Sequence, residues 1–128
     1  MNLLLDTHTL LWMADGAPEL SARAAAHIAS PANAKHVSIA SFWEIGIKVS
    51  TGKLTLRRPL DELIGKLRAT GAVAILPIAD AHVVKVSTLP LHHRDPFDRL
   101  LVAQALVDGY TIVGDDAAFD EYGVARVW

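Results

Sequence analysis

The sequence predicts a three-layer α/β/α domain, with helices covering both faces of a mostly parallel sheet of four to five short strands. The apolar segments that suit strands are only three to five residues long, and segments with helical spacing separate them along the chain. Short strands that are apolar on both faces are typical of parallel sheets buried between helices. The 128 residues have the length of one domain, so we expect a single domain over residues 1–128.

The first half of the chain contains two of the predicted strands and three helices. Residues 2–5 are apolar and end at an acid, as in a buried strand, and residues 7–14 follow with the wide apolar face of a helix. Residues 21–29 are alanine-rich, begin with a good N-cap residue and end before a proline. Residues 36–38 form the second strand. Residues 40–49 have apolar side chains at helical intervals and predict a third helix.

The second half of the chain alternates in the same way. Pro59 suits the first turn of a helix that extends to Gly71, and residues 73–76 form the third strand. Two further helices are predicted at 79–89 and 96–107. The chain then closes with a strand at 111–113, a short helix at 117–122 and a last strand at 124–128.

Composition and charge exclude several classes of function. The chain has no cysteine, so it forms no disulfide, thiolate metal site or cysteine nucleophile. Its apolar runs are far shorter than the roughly 20 residues that cross a bilayer, and its first residues lack the basic start of a signal peptide. We therefore expect a cytoplasmic protein with no membrane partner. A formal net charge of −2 and a pI near 6.3 argue against passive coating of nucleic acid, because such proteins are basic.

Four acids occupy positions where parallel sheets bind ligands. Asp6 directly follows the first strand, and Asp116 follows the fourth. Glu44 lies in the helix after the second strand, and Asp98 lies at the start of a later helix. Ligands of such sheets bind beyond the carboxyl ends of the strands. We therefore expect the four carboxylates to face one edge of the sheet.

Each acid also has a purely structural interpretation, which the sequence leaves open. Asp6 can cap the helix that follows it, and either Asp115 or Asp116 can cap the short helix at 117–122. Asp95 before a proline is likewise a favourable N-cap. Because caps are common, any one of these acids taken alone is better explained as a helix start.

Two kinds of spacing support the same interpretation. Ser41 with Glu44, and Asp95 with Asp98, match the spacing of a capping box. Glu44 with Lys48 has the i, i+4 spacing of an ion pair on a helix surface. These interactions would explain the acids without any ligand.

Together, however, the four acids predict a metal site. Carboxylates a few ångström apart repel one another unless something neutralises them, and no matching cluster of lysines and arginines accompanies them in the sequence. Mg²⁺ or Mn²⁺ suits a set of carboxylates and water. A cation held in this way is typical of enzymes that cleave phosphodiesters.

The motifs around these acids resemble those of a known family. They are Leu4-Leu5-Asp6-Thr7-His8, Ser41-Phe42-Trp43-Glu44-Ile45, His93-Arg94-Asp95-Pro96-Phe97-Asp98-Arg99, and Asp116 with Phe119 and Tyr122-Gly123-Val124. They resemble PIN-domain proteins, and among these chiefly the VapC-type ribonuclease toxins of bacterial toxin–antitoxin pairs. The His-x-Asp-Pro-Phe-Asp-Arg stretch is the most specific motif, and the resemblance runs from the first strand to the last.

The resemblance implies a PIN-like fold and an endoribonuclease with Mg²⁺ or Mn²⁺ as its cofactor. It carries the four acidic positions of the family onto this chain, with Asp6 and Asp98 as the main metal ligands. Asp116 would complete the site or bind a second ion, and Glu44 would bind metal or orient the attacking water. Gly114 stands where many relatives have a hydroxyl residue, so a hydroxyl contact is missing there. The implied substrate is transfer, ribosomal or messenger RNA, and the implied partners are a cognate antitoxin and a second copy of the chain in a homodimer.

Further residues are secondary candidates for the site. Asp95 matches an acid of this subgroup as Asp98 does, but Asp98 is preferred because a cap already explains Asp95. Thr7 would contribute a hydroxyl group, with ordinary capping as an equal alternative. Arg94 and Arg99 lie beside the acids in the sequence, where they would hold a phosphate or balance charge. Asp115 is a further acid next to Asp116.

Two other functions remain open at this point. A different Mg²⁺-dependent phosphohydrolase, or a phospho-accepting receiver domain, would be expected to carry a second acid close to Asp6, whereas position 8 is a histidine. A non-catalytic interaction module would use the acids as caps and its apolar helices as a binding surface. The six histidines lack the i, i+3 or i, i+4 pairs of a helical zinc site, so we expect loop or surface positions for them, with His93 placed to face substrate near Asp98.

Overall fold

The computed structural model describes all 128 residues and contains one five-stranded sheet in the order β3-β2-β1-β4-β5. Every neighbouring pair of strands is parallel. The strands are β1 (Asn2–Leu5), β2 (Ala34–Ser38), β3 (Ala74–Leu76), β4 (Thr111–Val113) and β5 (Arg126–Val127). The prediction of a parallel sheet of short strands is confirmed, and the last strand is shorter than predicted.

Helices connect the strands, as the alternating pattern predicted. They are α1 (Thr7–Asp15), α2 (Ala22–Ala29), α3 (Ile39–Ser50), α4 (Leu60–Thr70), α5 (Asp80–Thr88), α6 (Pro96–Asp108) and a 3₁₀ helix at Ala117–Tyr122. None of these helices combines the length and the apolar character needed to cross a membrane.

The sheet separates two apolar clusters, as period-2 alternation along a strand requires. In β1, Leu3 and Leu5 point to the cluster formed with α1 to α4, whereas Leu4 points to the cluster formed with α6 and the 3₁₀ helix. In β4, Val113 and Ile112 divide between the same two clusters. The three-layer prediction is therefore confirmed.

The strand order places a crevice between β1 and β4. The chain moves outward from β1 to β2 and β3, then returns to the other side of β1 as β4 and β5. Parallel sheets bind ligands at such a reversal, beyond the carboxyl ends of the strands. Asp6 follows β1 and Gly114 follows β4, so both lie at this crevice.

One predicted helix start is wrong. Helix α3 begins at Ile39, and its N-cap is Ser38, whose hydroxyl oxygen accepts a hydrogen bond from the Ala40 N–H at 3.1 Å. Ser41 is therefore an interior helical residue, buried with Glu44, and the two do not form a capping box. Because β2 leads directly into α3, Glu44 lies in the second turn of this helix rather than in its first.

Candidate active site

A small cavity of about 80 Å³ lies at the carboxyl end of the sheet and has no hydrophobic residue in its lining. It brings together the four acids singled out by the sequence pattern, together with Thr7 and Asp95. The lining residues are Asp6, Thr7, His8, Glu44, Lys48, Asp95, Asp98 and Asp116. The ends of β1 and β4 and the helices α1, α3 and α6 thus contribute carboxylates or their partners to one small polar space.

Asp6 is a helix cap and a cavity acid at once. Its Oδ1 accepts a hydrogen bond from the Thr9 N–H at 2.8 Å, and its own N–H donates to the Val113 carbonyl oxygen at 3.1 Å. The side chain is only 5% exposed, and this burial raises the pKa of Asp6. A Cβ atom at Gly114 would come within 2.5 Å of Asp6 Oδ2, so the carboxylate fits only because position 114 has no side chain.

Glu44 is buried in α3 with both carboxylate oxygens engaged. The Thr7 hydroxyl donates to Oε1 at 2.6 Å, and the Lys48 ammonium donates to Oε2 at 2.6 Å. The predicted i, i+4 ion pair with Lys48 is present, but Glu44 itself is 5% exposed rather than on the surface. Glu44 is therefore held rigidly beside the cavity.

The start of α6 supplies two more carboxylates. Asp95 is the N-cap, and its Oδ1 accepts hydrogen bonds from the N–H groups of Phe97 at 2.8 Å and Asp98 at 3.2 Å. The Asp98 side chain does not complete the predicted capping box with Asp95. Instead, its Oδ2 lies 3.1 Å from His93 Nε2. Burial, followed by the negative charge of Asp95, raises the pKa of Asp98 to about 7.

Asp116 combines a cap with a place in the cavity, as Asp6 does. It caps the 3₁₀ helix by accepting a hydrogen bond from the Ala118 N–H at 2.9 Å. Its Oδ2 also lies 3.1 Å from His93 Nε2. The Ala118 N–H and the His93 contact hold the pKa of Asp116 below its usual value. Capping and clustering are therefore compatible, although the sequence presents them as alternatives.

The secondary basic candidates lie outside the cavity. The Arg99 guanidinium donates to the carbonyl oxygens of Pro90 at 2.8 Å, Val86 at 3.2 Å and Leu89 at 3.3 Å, so it stabilises the C-terminal end of α5. Arg94 is exposed and lines a separate surface pocket with Leu91. Neither arginine lines the cavity to balance its acids as expected, and the phosphate-holding role stays a prediction.

Two expectations about other side chains also need correction. Asp115 is exposed and does not line the cavity. His82, expected in a loop or on the surface, is buried at the start of α5, where its ring bonds to Asp108. His93 contacts Asp98 and Asp116. In the sequence, the signal for these contacts is that His93 lies two residues before the Asp95 cap, within the motif that contains Asp98.

The charges of the cavity fit a hard divalent cation. Its lining includes five carboxylates, whereas Lys48 is the only lysine or arginine in it. The raised pKa values of Asp6 and Asp98 show that burial and repulsion oppose their ionised forms. Mg²⁺ and Mn²⁺ prefer such oxygen ligands, so the residues present suit either ion.

The fold and the cavity define an α/β protein with a carboxylate-rich site at the reversal point of a parallel sheet. The family model for the PIN domain matches residues 3–125. The chain belongs to the PIN domain family, whose members are generally nucleases that depend on a divalent metal.

Solved structures of VapBC and FitAcB proteins share this fold over almost the whole chain. VapBC2 from Rickettsia felis, bound to a DNA fragment from its promoter, has a TM-score of 0.72 and 15% identity, covering 99% of this chain and 98% of that chain. VapBC-1 from nontypeable Haemophilus influenzae has a TM-score of 0.68 and 14% identity, covering 99% and 97%. FitAcB from Neisseria gonorrhoeae has a TM-score of 0.66 and 16% identity, covering 98% and 96%. A sequence search among curated proteins returns no match.

Proposed function

We propose that this protein is a Mg²⁺- or Mn²⁺-dependent endoribonuclease and the toxin of a VapBC-type toxin–antitoxin module. The observation that carries the proposal is the convergence of five carboxylates on one small cavity that contains a single lysine. Capping explains three of these acids locally, but it does not explain why all five face the same space. Membership of the PIN domain family and the likeness to VapBC structures support the same function.

The carboxylates have distinct proposed roles in phosphodiester cleavage. Asp6 and Asp98 hold the cation, and Asp116 completes its site from the other side of the crevice. When bound, the cation lowers the pKa of the attacking water and offsets the charge that develops on the phosphate. Glu44 binds metal or orients the attacking water, and its hydrogen bonds from Thr7 and Lys48 keep it in place.

The proposed substrate is RNA, of the transfer, ribosomal or messenger class. The chain carries a formal net charge of −2, so general attraction to phosphates contributes little to binding. A cation in the cavity would supply positive charge among the five carboxylates, where Lys48 is the only lysine or arginine. RNA-binding proteins commonly read unpaired loops, whose backbone can enter a small site.

The proposed protein partners are a cognate antitoxin and a second copy of this chain. Helix α3 presents an apolar stripe to solvent at i, i+4 spacing: Ile39 is 37% exposed, Trp43 62% and Ile47 38%. The Trp43 ring meets the edge of the Phe97 ring at a centroid distance of 5.4 Å, so the stripe reaches the first turn of α6, which carries the cavity residue Asp98. An exposed apolar patch next to a functional site is typical of a protein interface. The likeness to solved VapBC complexes supports an antitoxin as one of the two partners.

The direct test is cleavage of RNA by the purified chain without its partner. We expect fragments from a structured RNA with Mg²⁺ or Mn²⁺, and none with a chelator or with the variants Asp6→Asn and Asp98→Asn. Glu19→Gln is the control, because it removes an exposed acid that does not line the cavity. The proposal fails if folded wild-type protein leaves RNA intact with either metal, or if chelation and the two aspartate variants leave cleavage unchanged.

A further inference from the structure

His93 lies behind two of the cavity carboxylates and connects them. Its Nε2 is 3.1 Å from Asp98 Oδ2 and 3.1 Å from Asp116 Oδ2, although these acids belong to different elements. His93 does not line the cavity itself. A ring nitrogen close to two carboxylates can act either as a metal ligand or as a hydrogen-bond donor, and the hydrogen position distinguishes the two roles.

The other ring nitrogen determines where that hydrogen lies. The Asp95 backbone N–H donates to His93 Nδ1 at 3.1 Å. A backbone N–H can only donate, so Nδ1 must accept through its lone pair, and we assign the hydrogen of the neutral ring to Nε2. Nε2–H then donates to Asp116 Oδ2 at 3.1 Å, with Asp98 Oδ2 in contact at the same distance, and Nε2 has no free lone pair for a metal.

Further contacts hold the ring in this orientation. The His93 backbone N–H donates to the Tyr122 hydroxyl oxygen at 2.7 Å. The imidazole stacks on the buried Phe119 ring, with a centroid distance of 6.5 Å and an interplanar angle of 30°. Rotating the ring to present a lone pair to the cavity would break the Asp95 hydrogen bond and this stacking.

We propose that His93 is a positioning residue that donates from Nε2–H to Asp116, contacts Asp98 with the same nitrogen, and thereby orients the two carboxylates without itself ligating the metal. This inference rests on the proposed function, since it assigns Asp98 and Asp116 to a cation. Donors behind metal ligands typically contribute about 10–100-fold in metal affinity. His93 would do so from a loop segment that precedes α6.

The first test reads the hydrogen position directly. Nitrogen NMR of the ¹⁵N-labelled full chain distinguishes a protonated ring nitrogen from an unprotonated one, and the measurement is made with and without Mg²⁺. We expect the Nε2–H form of His93 in both conditions. His82 is an internal reference, because it has the same pattern: the Ala79 N–H donates to its Nδ1 at 2.9 Å, and its Nε2 lies 2.6 Å from Asp108. A His93 ring with hydrogen on Nδ1 in the presence of Mg²⁺ would overturn the proposal.

The second test measures Mn²⁺ binding by electron paramagnetic resonance, with no RNA present. We expect His93→Ala to weaken Mn²⁺ binding about 10-fold or more, and His93→Gln to restore most of it, because the glutamine amide also donates from a similar position. His82→Gln is the matched control and should bind Mn²⁺ as the wild type does. Electron spin-echo spectra of the wild type should show no coupling to a directly bound nitrogen.

The outcomes separate this inference from the proposed function. If wild-type protein binds Mn²⁺ and cleaves RNA, but His93→Ala binds Mn²⁺ equally well or a nitrogen coupling appears, only the role of His93 is overturned. If wild-type protein neither binds Mn²⁺ nor cleaves RNA, the proposed function and this inference are both overturned. The full set of expected results supports His93 as a donor behind the metal site.

Discussion

Helix α6 has a histidine–aspartate arrangement at each of its ends, and only the one beside its first turn belongs to the proposed active site. At its C-terminal end, His82 Nε2 lies 2.6 Å from Asp108. Beside its first turn, His93 Nε2 lies 3.1 Å from Asp98 and from Asp116. In each case a backbone N–H donates to Nδ1. The 13 residues of the helix separate the two arrangements by about 20 Å.

The difference lies in the number of carboxylates around each histidine. Asp108 is paired with one buried histidine, His82, and this pair links α6 to α5. At the other end, Asp98 and Asp116 share one histidine and lie in a cavity with Asp6, Glu44 and Asp95. Hydrogen bonds between histidine and aspartate therefore do not distinguish a functional site. What sets the proposed site apart is five carboxylates around one cavity, and the raised pKa of the half-buried Asp98 reflects this crowding.

The same substitution at the two ends of α6 should give opposite results, and this is the largest effect we expect. Asp98→Ala should lower RNA cleavage by more than about 100-fold, because even groups behind a metal ligand contribute about 10–100-fold. Its thermal stability in chelator should equal or exceed that of the wild type, since a buried charge is removed. Asp108→Ala should retain cleavage but lose about 1–3 kcal/mol of stability, because the buried His82 Nε2–H is left without a partner.

Cleavage rates and thermal unfolding of both variants check this prediction. If Asp108→Ala also lost cleavage while folded, or if Asp98→Ala cleaved RNA normally, the distinction between a structural and a functional end of α6 would be wrong.

Gly114 tests whether the functional end depends on shape as well as on charge. In Gly114→Ala the new Cβ atom would lie 2.5 Å from Asp6 Oδ2, so the carboxylate must move. A displacement of about 1 Å at a reacting centre can cost about 100-fold in rate, and we expect a loss of that order. Gly65→Ala in α4 is the control, because a Cβ there meets no atom within 4 Å, and it should keep full activity. Equal cleavage by the two variants would contradict the close approach.

Gly114 also shows how far the sequence could predict this molecule. The order of strands and helices follows from short-range patterns, and the carboxyl-end rule placed Asp6 and Asp116 at one edge. The fit of Asp6 against Gly114 joins positions 108 residues apart and depends on a register that composition does not encode. Within the site, the four aspartates were predictable because each lies at a strand or helix end, whereas Glu44 lies in the second turn of α3 and lacks this local signal.

The contacts around α6 were less predictable, because they also depend on residues that are distant in the sequence. Arg99 neighbours Asp98 in the sequence, but successive helical side chains point about 100° apart, and Arg99 contacts the end of α5 instead. Whether a basic residue balances an acid is decided by the helix face and by the packing of α5 on α6. His82 was wrongly expected at the surface because its partner, Asp108, is 26 residues away.

The pH dependence of stability should further distinguish the two ends of α6. Asp98 has a pKa of about 7 in the folded protein, against 3.8 as its ordinary value. Between these values the folded form retains a proton that the unfolded form releases, so stability falls as pH rises toward 7 and levels off above it. The slope from this one group is at most about 1.4 kcal/mol per pH unit. Burial raises the pKa of Asp6 as well, which acts in the same direction.

Thermal unfolding in chelator from pH 5 to pH 8 measures this dependence. Asp98→Asn should flatten the curve, because it removes the titrating group while keeping its shape. A saturating divalent cation should also reduce the decline, since it binds the ionised carboxylates of the folded state. Parallel curves for Asp98→Asn and wild-type protein would show that another group causes the pH dependence.

The smallest effect we expect comes from Thr7, which lines the cavity but whose proposed contribution to cleavage is to hold Glu44 in place. Its hydroxyl donates to Glu44 Oε1 at 2.6 Å, and Lys48 holds the other oxygen. Thr7→Val keeps the shape but leaves Glu44 fixed at one oxygen only, so we expect a loss of about 10-fold in cleavage, at the lower end of the 10–100-fold range for such partners. Thr7→Ser keeps the donor and should cleave RNA nearly as the wild type does. Single-turnover rates of the two variants decide the point: if both lose activity equally, Thr7 acts through its methyl group and the start of α1 rather than through Glu44.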